Sequence, residues 1–415
     1  MEKLIVGPLE ATHISTLIII DALDECRDEQ PSSALLSVLS RYVNHIPNVK
    51  FFITGRPEPQ IRTGFRLKPL LPITEVLKLH EVKPETVDSD IKLFFQTQLI
   101  KLVENRSDCH AMGDWPSLSD VEVLCEKAAG FFIYAATVVK FIDSDIDPPS
   151  ERLSLITSPL QSTVVEGRFG VDQLYAKILE QAFSEVRAGN SQTYLRFRAV
   201  VGAVLLIHNP LPIKALSDLL GYSTLHIHST IRSLHSLLLI PESSEDPIQT
   251  FHKSFPDFLT DPERCEDKRF FIEPAVQHTK ILLSCLTLMR ERLKKNICNL
   301  DDHAVLVEVN DLSARKRDCI GSALEYACQF WTKHLLGTPH TRSHVGGVQG
   351  AIDIFFTTCL LYWIEVLALT GNLGVGVYAM NDIEQWYTLV SAIWVSHYNQ
   401  TYAYIFFRQE FHVSG

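Results

Sequence analysis

The chain has 415 residues, 46% of them hydrophobic, a mean hydropathy of +0.07 and a formal net charge of −11. That length exceeds one compact core, so two to four modules are expected, and the apolar content excludes disorder over most of the chain. The acidic balance argues against nucleic acid or an anionic membrane as the main partner. The nine scattered cysteines contain no Cys-x-x-Cys pair and predict reduced thiols in a cytoplasmic setting.

In chain order, Leu17-Ile18-Ile19-Ile20 comes first. Four apolar residues in a row suit a strand buried on both faces. Asp21 then stands at the carboxyl end of that strand, with Asp24 and Glu25 on the turn beyond it. A nucleoside triphosphatase needs this layout: one carboxylate holds a magnesium ion through its waters and others orient an attacking water. Without that role, the same acids suit a strand-to-helix turn, because carboxylates favour a helix N-terminus. Ser33 to Val43 carries Leu35, Leu36, Leu39 and Val43 on a helical face. Val49 to Thr54 reads as a second strand, ending at Gly55-Arg56-Pro57-Glu58-Pro59, and Glu75 to Val82 as a third. Strand, helix, strand predicts a parallel α/β sheet over residues 1–83.

From Pro84 the pattern turns helical. Ile91, Phe94, Phe95, Leu99, Leu102 and Val103 line one face. Ser119-Asp120-Val121-Glu122 reads as a capping box opening a helix that ends near Gly130, where a left-handed cap suits glycine. An apolar helix over Phe131 to Ile142 follows, and residues 143–150 read as a turn, closing a module over 84–150. Val171, Leu174, Tyr175, Ile178, Leu179, Ala182, Phe183 and Val186 fit one amphipathic helix. It opens a segment over 170–262 that reads as a winged helix. Pro212 starts one helix and Gly221 ends it, a second carries Ile231 and Leu234, and Leu237–Ile240 with Ile248–Phe251 form a hairpin-like pair. Residues 263–400 are helical, with Leu324, Ala327, Cys328, Trp331 and Leu335 on one face. The apolar run Ile354 to Ile364 is too short to span a membrane and reads as a core helix. The histidines His226, His228, His340 and His344 lack partners at metal-ligand spacing.

The string Leu17 to Glu25 resembles the Walker B segment of fungal NACHT-domain NTPases of the STAND class, the NACHT/WD-repeat type. The likeness continues through Phe51-Phe52-Ile53-Thr54-Gly55-Arg56-Pro57-Glu58 as the sensor strand and Gly130-Phe131-Phe132-Ile133-Tyr134-Ala135 as a helical-lid motif. Phe251-His252-Lys253-Ser254-Phe255-Pro256-Asp257-Phe258-Leu259 matches in the winged helix. Lys295-Asn296-Ile297-Cys298-Asn299-Leu300 and Tyr326-Ala327-Cys328-Gln329-Phe330-Trp331 extend it over about residues 1–390, leaving 401–415 as a divergent tail.

The resemblance implies an α/β remnant of a P-loop NTPase sheet followed by mainly α modules: a lid, a winged helix and a helical domain. It implies Asp21 as the magnesium-side carboxylate, Asp24 and Glu25 as catalytic acids in vestigial form, and Arg56 as a reader of the γ-phosphate. Read from the residues alone, Arg56 equally well pairs with Asp21 or Glu25. By resemblance Gly130 packs near the adenine and His252 touches the β-phosphate of ADP, and the implied cofactor is ATP or ADP with magnesium. The residues before Leu17 form no Gly-x-x-x-x-Gly-Lys-Ser/Thr loop. The chain is therefore expected to lack the Walker A half and the C-terminal repeats, to hold no nucleotide tightly and to hydrolyse no ATP alone. If the family's strand order holds, Val49–Thr54 has an open edge that Glu75–Val82 or a partner's strand covers, or the remnant is poorly stable.

Three functions follow. The first is a non-catalytic scaffold for protein partners, other NACHT-family chains among them. The second is an ATP/ADP switch whose missing loop is encoded upstream. The third is DNA binding through the winged helix, which the five Lys/Arg against six Asp/Glu between residues 196 and 261 disfavour.

Overall fold

The computed structural model describes residues 7–8, 15–26, 29–46, 48–104, 115–144, 147–158, 168–183, 192–301, 309, 311–339 and 342–395. Val186, the side chains of His340 and His344, part of the 143–150 turn and the tail at 401–415 lie outside the described residues. The chain divides into two compact units, Met1–Val87 and Asp88–Gly415. It is mainly helical, with two small sheets among the described residues.

In the first unit, β1 (Thr16–Ile20) and β2 (Val49–Ile53) pair in parallel, in register from Thr16 opposite Val49 to Ile20 opposite Ile53. Helix α1 (Glu29–Tyr42) makes the crossover that a parallel pair requires. Leu36 and Leu39 of α1 are buried with Leu23, Ile61 and Leu70, and Ile20, Phe51 and Ile53 pack against them. Helix α2 (Pro59–Phe65) lies close on α1. A Cβ on Gly64 would sit 2.4 Å from Leu36 Cδ1, so only glycine allows that approach.

Two expectations fail in this unit. The run at 17–20 alternates instead of being buried on both faces: Leu17 and Ile19 are 59% and 64% exposed, and Phe52 beside them is 57% exposed. One face packs on α1 and α2, and the other meets solvent. Nor does Glu75–Val82 form a strand. It is irregular up to a single turn at Leu79–Glu81 and pairs with neither strand, and Val76, Leu77 and Leu79 are 69%, 78% and 78% exposed. The sheet stops at two strands with its outer edges unpaired by this segment, and β-propensity without ladder bonds or burial does not by itself make a strand. Thr54 likewise falls just beyond β2.

Helix α3 (Pro84–Glu104) leads into the second unit and buries Ile91, Phe95, Leu99 and Leu102. Helix α4 (Leu118–Ala128) begins two residues earlier than the capping box read from sequence. Ser117, not Ser119, is the N-cap: its Oγ accepts the Asp120 N–H while the Asp120 carboxylate accepts the Ser117 N–H. An Asp at the third helical position closes the box as Glu would. Helices α5 (Phe132–Ile142), α6 (Pro149–Thr157) and α7 (Arg168–Ala182) follow. Next come α8 (Gln192–Leu206), α9 (Ile213–Leu220), α10 (Thr224–Arg232) and a short antiparallel pair, β3 (Leu238–Leu239) with β4 (Gln249–Thr250).

Helix α11 (Ser254–Thr260) precedes the C-terminal helices. Helices α12 (Pro274–Arg292) and α14 (Gly321–Leu336) pack together, after the short α13 (Leu312–Cys319). The apolar run at 354–364 is broken at Cys359 into α15 (Arg342–Thr358) and α16 (Leu360–Leu369), bent by 73°, and α17 (Leu373–Val395) follows. It is thus not one core helix, and Leu361 is 76% exposed. Among the described residues no single helix is long and apolar enough to cross a membrane. Trp331, Trp363 and Phe355 form an aromatic centre with ring centroids 4.7–6.3 Å apart, and the Trp363 indole donates to the Cys328 carbonyl at 2.8 Å.

Candidate functional site

The in-step register of β1 and β2 brings both carboxyl ends to one level, so Asp21 and Thr54 leave the sheet side by side. Thr54 knits them together. Its N–H donates to the Ile20 carbonyl at 2.9 Å and its carbonyl accepts the Leu23 N–H at 2.9 Å. Its Oγ1 accepts the Ala22 N–H at 2.8 Å and donates to the Asp21 carboxylate in a short bond. Ala22 takes a left-handed backbone, φ 51° and ψ 51°, which costs a residue with a Cβ about 1–2 kcal/mol. That reversal drops Leu23 into the core, 2% exposed, and carries Asp24 inward to 8% exposure.

Asp24 is met by the opposite loop. One carboxylate oxygen accepts the Arg56 backbone N–H at 3.0 Å, and the other lies 3.6 Å from Arg56 Nε. Arg56 therefore pairs with Asp24, not with Asp21 or Glu25 as the alternative reading expected. The chain reversal at Ala22 turns Asp24 toward it. Glu25 and Asp21 are exposed. Of the residues singled out in this unit, the structure joins Asp21, Asp24 and Arg56 through the 54–56 loop. Sequence reasoning missed Thr54, whose signal is a hydroxyl placed one residue past an apolar strand, level with Asp21.

The remaining candidates are in the second unit. Gly130, φ +80°, is exposed and follows Ala129, φ +45°, in the reversal between α4 and α5. There the Ala129 N–H closes on the Cys125 carbonyl and the Phe131 N–H on that of Ala128, at 3.2 and 2.8 Å. This is the backbone geometry of a helix junction. His252 lies between β4 and α11. Its Nδ1 accepts the Ser254 N–H at 3.1 Å, so the neutral ring carries its proton on Nε2. The Ser254 hydroxyl is 2.7 Å from the same nitrogen and 2.7 Å from the Tyr175 hydroxyl.

The backbone N–H groups of Ala22, Leu23, Thr54 and Arg56 all donate to protein oxygens and are unavailable to cradle a phosphate. Among the described residues no three His, Cys, Asp or Glu converge to hold a metal ion.

A family described as "Nephrocystin 3, N-terminal" matches residues 1–56, the stretch holding all four acid-and-arginine candidates. The chain is also similar to the vegetative incompatibility protein HET-E-1 of Podospora anserina. The two are 23% identical over 391 residues, covering 89% of this chain and 26% of that protein. The chain thus spans about a quarter of that relative's length. No solved structure matches. Together these similarities support a NACHT-like chain of the fungal type.

Proposed function

We propose that this chain is a non-catalytic scaffold or interaction module of a NACHT-type signalling protein. The observation that carries this reading is the engagement of Asp24, the more buried acid, by the backbone and guanidinium of Arg56. A carboxylate that accepts a backbone N–H on one oxygen and faces a guanidinium 3.6 Å from the other is badly placed to polarise a water, and Asp21 is tied to Thr54 in the same network. The similarity to a vegetative incompatibility protein supports a role in recognition signalling, acting through protein partners such as other NACHT-family chains.

The purified chain incubated with ATP and magnesium is expected to release phosphate no faster than buffer, and to give no saturable ADP binding below ~1 mM by calorimetry, an affinity of about −4 kcal/mol. Robust turnover that Glu25→Gln abolishes would overturn the proposal in favour of a nucleotide-driven switch.

A further inference from the structure

A cluster in the second unit, remote in sequence from the residues above, joins three histidines and a tyrosine. His334 on α14 is fully buried, 0% exposed. Its Nδ1 lies 2.8 Å from Nδ1 of His278 on α12, and its Nε2 lies 2.6 Å from the Tyr326 hydroxyl on its own helix. The Tyr326 oxygen in turn accepts the backbone N–H of His208, just past α8, at 3.0 Å. The His208 ring stacks on Phe330 with centroids 5.6 Å apart and stands 5.0 Å from the His334 ring. One continuous set of hydrogen bonds thus ties three separate segments together.

We propose that the His278–His334–Tyr326 relay is a proton-sensitive latch: it holds α12 and the segment after α8 against α14 near neutral pH and lets them part on acidification. The argument is one of proton count. A hydrogen bond between two Nδ1 atoms needs one proton between them, given by one ring and accepted by the other. A proton added to the accepting ring sets N–H against N–H and breaks the bond. A proton added to the donating ring places an imidazolium at the fully buried His334 or at the half-buried His278 against it, where charge is costly unless paired.

The charged neighbours do not relieve that cost. Lys333 on α14 pairs with Asp382 of α17 at 3.1 Å, and Glu325 with Gln329 at 3.1 Å. Lys280 on α12 is held below its ordinary value by burial and by Arg198 of α8, which itself reaches the Tyr194 hydroxyl. Lys214 and Asp218 of α9 point to solvent. The groups that act on His334 are the His208 and His278 rings, and both disfavour its charge.

Burial holds His278 below the ordinary imidazole value. Burial, with the two neighbouring rings, holds His334 well below it. The unfolded chain therefore takes up protons that the folded cluster refuses. The latch is complete above pH ~6.5 and weakens as pH falls below that, by up to roughly tenfold in the opening constant per pH unit for each histidine. Gly337 contributes by leaving room: a Cβ there would sit 2.6 Å from His278 Cδ2.

The test is hydrogen–deuterium exchange on the full chain at pH 7.5 and 5.5, corrected for intrinsic rates, in the wild type and His278→Gln. In the wild type the opening constant of residues 326–338 is expected to rise about tenfold or more between the two conditions. In His278→Gln that rise should shrink severalfold, with a higher opening constant already at pH 7.5. Equal pH dependence in both proteins, or none in the wild type, overturns the proposal. Should the variant not fold, the ¹⁵N shifts of the His334 ring in the wild type decide. A neutral ring down to the pH at which the segment opens is expected, and an imidazolium inside a still-protected segment overturns the latch.

Discussion

The two units solve the burial problem differently. In the first, a two-stranded parallel sheet packs one face on α1 and α2 and leaves Leu17, Ile19 and Phe52 in solvent. In the second, helices enclose Trp331, Trp363 and Trp386 completely, with exposures of 1% or less. A helix buries one stripe and is finished, whereas a parallel sheet has two faces and two edges to cover. A small core built on two strands should therefore be the weaker of the two.

The comparison can be broken by mutation, because all five tryptophans lie between Trp115 and Trp394, so intrinsic fluorescence reports on the second unit alone. The largest effect is expected for Trp331→Ala, a loss of about 3–5 kcal/mol in the fluorescence-detected urea transition. Leu36→Ala empties the centre of the first unit at a cost of about 2–5 kcal/mol. Proteolysis should then cut within residues 15–83 while tryptophan fluorescence stays native. Coincident loss of both signals would show that the two units unfold as one.

Smaller effects sharpen the picture of the acid turn. Asp24→Ala leaves the Arg56 N–H without its acceptor and should cost about 1–3 kcal/mol. Arg56→Ala keeps that backbone bond and removes a guanidinium whose side chain is 40% exposed, so less than ~1 kcal/mol is expected. Equal losses would mean that the ion pair, not the backbone bond, holds the turn. The smallest change is expected for Leu17→Thr and Ile19→Thr on the open face, within about 0.5 kcal/mol by urea titration with circular dichroism detection. A cost above ~2 kcal/mol would show that this face is covered in solution.

Much of the local structure was legible in the residues. Apolar spacing located α1, α7 and α14 because a helix repeats its buried stripe within its own length, and the parallel pair followed from strand, helix, strand. What failed was whatever depends on a neighbour. Glu75–Val82 has strand-like residues but joins neither edge of the sheet, and the run at 17–20 has four apolar residues but cover for only one face. The reading of Arg56 as an ion-pair partner named Asp21 or Glu25, and the left-handed backbone at Ala22 brings it Asp24 instead.

The order of residues alone therefore determined the segments, their amphipathic faces and the acid-bearing turn after β1, since each of these is written in contacts a few positions apart. Only the tertiary structure decided that Thr54 stitches that turn, that Asp24 faces Arg56, and that His278 meets His334 across 56 positions. Those pairings arise where separate elements meet, and no spacing along the chain encodes a distance between two helices.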